Sequence, residues 1–227
     1  MHQVSIPDWA VQRGRLLNDF SCIDSRTTAL LVIDLQNYFM LPGQPMANQH
    51  ACDIIPNVNA LASAVRSHEG KVVWLRHTVT GRGPRKMPAW LDYPGSIPYD
   101  AARAALVLGK PTHALHAALE VDGADAVVDK YRYSALIRHS SPLERILKST
   151  KIDTLIITGT LTNACCESTA RDAHMMGYKV IFVSDATATI TDLEHNATLL
   201  NLCVAFADIR TTAEVLGIVS RSVRQSN

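Results

Sequence analysis

The sequence predicts an α/β protein, a parallel sheet covered by helices on both faces, and three observations carry that reading. Short apolar runs of strand length alternate with longer helix-like segments. At 47% hydrophobic and 19% charged residues, the 227-residue chain can bury the core such a sandwich needs. Several of the apolar runs end directly on a reactive side chain, the pattern of parallel strands that present their carboxyl ends to one cleft.

Taken in order, residues 1–27 form an N-terminal extension, and "TALLVID" (Thr28 to Asp34) reads as a buried strand ending on a carboxylate. "IIPNVNALASAVRSHEG" reads as a helix closed by Gly70, and "KVVWLRHT" as the second strand. Residues 79–111 break the rhythm: "GRGPRKMPAWLDYPGSIPYD" holds too many prolines and glycines for a long element, with room for a short helix at Ala101 to Leu108. Such a loop serves as a lid, a binding surface or an oligomer contact. Asp125 to Lys130 is the third strand, "PLERILKSTK" a helix, and "IDTLIITG" the fourth strand. A helix runs from near Cys165 to Gly177, "YKVIFVSDA" is the fifth strand, Asp192 to Phe206 is helical, and a short strand "DIRTT" precedes a C-terminal tail. No internal repeat or low-complexity linker divides the chain, so residues 1–227 are expected to form one domain.

A net charge of +1, with no long basic run, gives no footprint for nucleic acid or a membrane surface, and points to a small-molecule substrate. The N-terminus lacks the apolar core of a signal peptide, and no stretch reaches the roughly 18 apolar residues of a spanning helix. The five cysteines show neither CxxC nor paired-ligand spacing, which argues against a disulfide framework or a zinc site and for a reducing cytoplasm.

Three strand ends carry chemistry. Asp34 can be a phosphate acceptor, a magnesium ligand, a nucleophile, a general base, or simply a cap for the next loop; "DLQ" is not the D-x-D of a haloacid-dehalogenase-type phosphatase. Lys130 is either a solvated lysine leaving the sheet or a charge aimed into the same cleft. Cys165 and Cys166 follow the fourth strand, and consecutive helical residues point about 100° apart, so only one can face a given point. A thiol at a helix start, near a lysine, has its pKa lowered, which makes Cys165 the candidate nucleophile and Cys166 a small packing residue. His77 ends the second strand and can line a pocket or sit satisfied in the core. No H-E-x-x-H, G-x-S-x-G or P-loop motif is present.

Over about Thr28 to Val215 the sequence resembles the isochorismatase-like cysteine hydrolases, through "ALLVIDLQNYF", "VVWLRH", "DKYRYSAL" and "LIITGTLTNACCESTARDAHMMGYKVIFVSDA". "YRYSAL" and "TNACCEST" are most similar to its amide- and ureido-hydrolysing branch. The resemblance implies a six-stranded parallel sheet and a catalytic Asp34, Lys130 and Cys165. It also implies a non-proline cis peptide at Thr160–Leu161, which would set the N–H of Leu161 beside that of Cys165 as an oxyanion hole. Expected pocket residues are Gln36, Tyr38, His77, Tyr131 and Tyr133. Arg82, Arg85 and Lys86 are basic groups that either meet a substrate carboxylate or form an exposed loop. The D-x-H metal pattern of nicotinamidases is absent from "MLPGQPMANQHACD", so no metal and no other cofactor is expected, and nicotinamide is disfavoured as substrate. A homo-oligomer is expected. The expected reaction is C–N hydrolysis of a small carboxamide or N-carbamoyl compound through a thioester. The alternatives are a vinyl-ether hydrolase of isochorismatase type and an idle thiol protein acting as redox sensor or scaffold.

Overall fold

The computed structural model describes residues 1–81, 83–86 and 102–222. Six strands, β1 (Thr28–Ile33), β2 (Lys71–His77), β3 (Ala126–Lys130), β4 (Thr154–Thr160), β5 (Lys179–Ala188) and β6 (Asp208–Arg210), form one sheet in the order β3-β2-β1-β4-β5-β6. Every pairing in it is parallel.

Alternate residues of each central strand face opposite layers, and both layers are apolar. Leu30, Val32, Trp74, Ile156 and Ile181 pack against α3 (Ile55–Ser67) and a C-terminal helix, Thr212–Ser220. Leu31, Ile33, Leu75, Ile157 and Phe182 pack on the other face, under α4 (Leu143–Ser149), α5 (Glu167–Met175) and α6 (Asp192–Ala205). The three-layer αβα arrangement follows from strands that are apolar on both faces. Among the described residues no helix is long and apolar enough to cross a membrane.

Several regions differ from the sequence reading. The chain after β6 is a helix, α7 (Thr212–Ser220), rather than a tail. Thr211 and Glu214 cap it reciprocally, and Thr191 with Glu194 caps α6 in the same way. The N-terminal extension contains a helix, α1 (Asp8–Arg15), and a one-turn helix, α2 (Asn37–Met40), follows β1. Helix α1 lies so close on α6 that a Cβ at Gly14 would stand 2.2 Å from the Cys203 carbonyl oxygen. Within the irregular loop, residues 102–105 are helical; the rest of the short helix expected at Ala101 to Leu108 is a turn over 106–109, and Ala101 lies outside the described residues.

Strand order reverses direction from β1 to β4: the chain winds outward through β2 and β3 on one side, and through β5 and β6 on the other. Open α/β sheets bind ligands in the crevice at this switch point, beyond the carboxyl ends of the strands. Here the crevice lies between Asp34 and the turn that follows Thr160.

Candidate active site

Gly159 brings the two strand ends together. With φ of +113°, its Cα packs onto β1 so closely that a Cβ would meet the Ile33 carbonyl oxygen at 2.1 Å. Only glycine combines this conformation with this approach. On β1, Asp34 leaves the strand with φ of +55°, its N–H still bonded to the Leu75 carbonyl at 2.9 Å.

The Thr160–Leu161 peptide is cis. The chain then enters a π turn, Thr162–Cys166, in which the Leu161 carbonyl accepts from the N–H groups of Ala164 at 3.1 Å and Cys166 at 3.2 Å, and it continues into α5. Behind the turn, Thr162 Oγ1 lies 3.0 Å from His195 Nδ1, and His195 Nε2 lies 3.1 Å from the Ser184 carbonyl. The carbonyl requires a proton on Nε2, so Nδ1 accepts from the threonine. Burial and the neighbouring His2 hold the His195 pKa down to about 4, so this brace stays neutral.

Asp34, Lys130 and Cys165 converge although they lie on different strands. Lys130 Nζ sits 2.8 Å from Asp34 Oδ2 with both side chains essentially inaccessible, and Cys165 Sγ lies within 4.8 Å of an Asp34 carboxylate oxygen. Lys130 also donates to the Arg132 carbonyl at 3.1 Å and faces His77 Nδ1 at 3.3 Å. Burial raises the Asp34 pKa above its ordinary value, against the opposing charge of Lys130. For Lys130, burial disfavours the ammonium, but the charges of Asp34 and Cys165 outweigh it and hold the pKa above that of an ordinary lysine. Burial, and next the Asp34 carboxylate, push the Cys165 thiol up. This reverses the sequence expectation of a lowered thiol pKa: desolvation and a like-signed neighbour outweigh Lys130. Cys165 therefore rests as a neutral thiol near a carboxylate. Cys166 is fully buried with Sγ 3.8 Å from the Thr158 carbonyl, a packing position.

A cavity of about 140 Å³ opens over this group. Tyr38, His77 and Tyr133 line it with Asp34, Leu161 and Cys165. Two of the expected pocket residues do not. Gln36 is fully buried, its amide bonding the His77 and His113 carbonyls at 3.1 and 2.8 Å and accepting the His77 N–H at 2.7 Å, so it ties β2 to the loop after β1. Tyr131 stands outside the lining, its ring 4.9 Å from the Arg85 guanidinium carbon. Phe39, Met46, Ala102 and Leu106 complete the apolar wall and were not singled out in the sequence. Ala102 and Leu106 sit four residues apart, the one-face spacing of a helical turn. Arg82 lies outside the described residues.

Burial, then the Lys130 charge, drive the His77 pKa well below the usual histidine value, so His77 faces the cavity as a neutral imidazole. Among the described residues, two clusters have ligand-type atoms within 4.8 Å of one another, Asp34–His77–Cys165 and His2–His50–Asp192. In the first, the Lys130 ammonium already lies against both Asp34 and His77. In the second, His2 Nε2 accepts the Thr189 N–H at 3.0 Å, which puts the imidazole proton on Nδ1, facing Asp192 at 2.7 Å where a cation would have to bind.

Comparison with known proteins agrees with this architecture. An isochorismatase domain is matched over residues 28–214. Nicotinamidase 3 of Arabidopsis thaliana is 32% identical over 81% of this chain and 84% of its own. Ureidoacrylate amidohydrolase RutB of Methylobacterium radiotolerans is 29% identical over 88% of this chain and 83% of its own. A cysteine hydrolase from Pseudomonas syringae pv. phaseolicola 1448A superimposes with a TM-score of 0.79 at 30% identity, covering 87% of this chain and 94% of that one. With most of its length matched and its sheet shared, the chain belongs to the isochorismatase family of hydrolases.

Proposed function

We propose that this hydrolase cleaves the C–N bond of a small carboxamide or N-carbamoyl compound through a thioester on Cys165. The observation that carries the reading is a neutral thiol held against a carboxylate whose partner is a buried ammonium, on the floor of a cavity. Two relatives lend support: by name, one acts on an amide and the other on a ureido acid.

As the sulfur attacks the carbonyl carbon, the thiol proton passes to Asp34. Lys130 balances the charge that develops on sulfur. The oxyanion is received by the N–H groups of Leu161 and Cys165; one such donor is typically worth roughly 10²–10³ in rate. Collapse of the adduct breaks the C–N bond, and the proton on Asp34 goes to the departing ammonia or amine. Asp34 then takes a proton from water as the water attacks the thioester, and the acid product and the thiol are released. An ether hydrolase needs only a proton donor and leaves Cys165 without a task. The thiol's place within 4.8 Å of a carboxylate that Lys130 pairs favours the covalent route.

The test is ammonia release from a panel of primary amides, nicotinamide included, and N-carbamoyl compounds, before and after stoichiometric iodoacetamide. The reading expects turnover on at least one class, lost in step with Cys165 alkylation. Turnover indifferent to that alkylation would sink it.

A further inference from the structure

The cavity's wall defines the acyl group it accepts. Phe39, Met46, Ala102, Leu106, Leu161 and Ala164 make an apolar surface, and Asp34 lies at its floor. Thr160 also lines it, but its hydroxyl donates to the Ala188 carbonyl at 3.0 Å and accepts from Asn48 at 3.2 Å. Among the described residues no arginine, and no lysine, lines the cavity. Among the described residues, Lys130 is committed to Asp34, Arg85 to the Tyr131 ring, and Arg132 to the carbonyls of Tyr131, Pro84, Arg85 and Lys86. Arg103 is exposed, outside the lining.

A substrate carboxylate entering this cavity would shed its hydration without a counter-charge and approach the Asp34 carboxylate. An apolar group would gain from the same surface. At about 140 Å³ the space compares with the roughly 150 Å³ apolar cavity that takes up benzene in an engineered protein.

We propose that the scissile amide carries an uncharged, apolar acyl group of about benzene size, and that amides bearing a carboxylate are rejected. The proposal rests on the amidohydrolase reading for its reaction, and on the cavity wall alone for its selectivity, so the two can fail separately.

Two measurements test it. The first compares kcat/KM for 4-methylpentanamide and benzamide with that for succinamate, whose carboxylate replaces the isopropyl group of 4-methylpentanamide. The second compares alkylation of Cys165 by neutral iodoacetamide and by anionic iodoacetate, read by peptide mass, with the exposed Cys22 of the same sample as the reference thiol. The expected results are at least a roughly 100-fold preference for the neutral amides, and an iodoacetamide-to-iodoacetate ratio at Cys165 exceeding that at Cys22 by a similar factor. Succinamate turned over as well as its isostere, or Cys165 no more selective than Cys22, would overturn the proposal. If no amide releases ammonia, the reaction assignment falls, and the alkylation ratio still decides the pocket's selectivity.

Discussion

Lys130 Nζ and Asp34 Oδ2 stand 2.8 Å apart in a site from which solvent is excluded, and this pair fixes how the neighbouring thiol behaves. The two residues end strands separated by β2, and β2 contributes His77 between them. In so dry a place a charge survives only with its partner, so the pair acts as a unit both in stability and in chemistry.

Removing one member should therefore cost more than removing both. Lys130→Met leaves the Asp34 carboxylate buried and uncompensated, an expected loss of about 3–5 kcal/mol in urea unfolding together with loss of turnover. Combining it with Asp34→Asn should return most of the stability and none of the activity. Equal destabilisation by the single and double variants would mean the pair is not coupled.

The pH dependence follows from the directions of the shifts. Asp34 must be ionised to accept the thiol proton, and its pKa is raised above 3.8, chiefly by burial. Activity should fall as pH drops through that raised value. His77, lowered well below its ordinary 6.5, and His195, at about 4, contribute no step near neutrality. Lys130, raised above 10.5, keeps its charge through mildly alkaline pH. A kcat/KM profile should show one acid limb and stay level from neutrality to about pH 9; an inflection between pH 6 and 7 that His77→Gln abolishes would assign the base to histidine instead.

Gly159→Ala should not give a folded enzyme. The added methyl would sit 2.1 Å from the Ile33 carbonyl oxygen, in a conformation at φ +113° that L side chains rarely adopt. The expected cost exceeds about 4 kcal/mol, the range of severe core lesions. Soluble yield and thermal melting measure it, and a variant melting near the parent would show that β1 and β4 can separate without harm.

Much of this site could be read from the chain because strand ends are local features. "ALLVID" and "AVVDK" each show an apolar run stopping on a charged side chain, and parallel topology alone carries both to one edge. What escaped the sequence is what depends on tertiary burial. The thiol's helix-start position suggested a lowered pKa, but the surrounding desolvation is invisible in "TNACCEST" and has the opposite sign. Gln36 looked like a pocket residue by position, yet its amide is consumed by the backbone of His77 and His113. Helix α7 was announced by Thr211 and Glu214, the same Thr-x-x-Glu box that opens α6, and the short strand before it drew attention away. Helix α1 is amphipathic but short and polar overall, so "DWAVQRGR" did not stand out, and its close seat on α6 is a tertiary contact.

The central claim is that Cys165 bonds covalently to substrate while Cys166 only packs. The direct measurement is the mass of the enzyme acid-quenched during turnover of an amide from the panel, alongside the activities of Cys165→Ala and Cys166→Ala. The account predicts an acyl adduct on the Cys165 peptide, no turnover by Cys165→Ala, and near-parental kcat in Cys166→Ala at a stability cost of about 1 kcal/mol. An unmodified Cys165 peptide, with Cys165→Ala turning over near the parental rate, would contradict it.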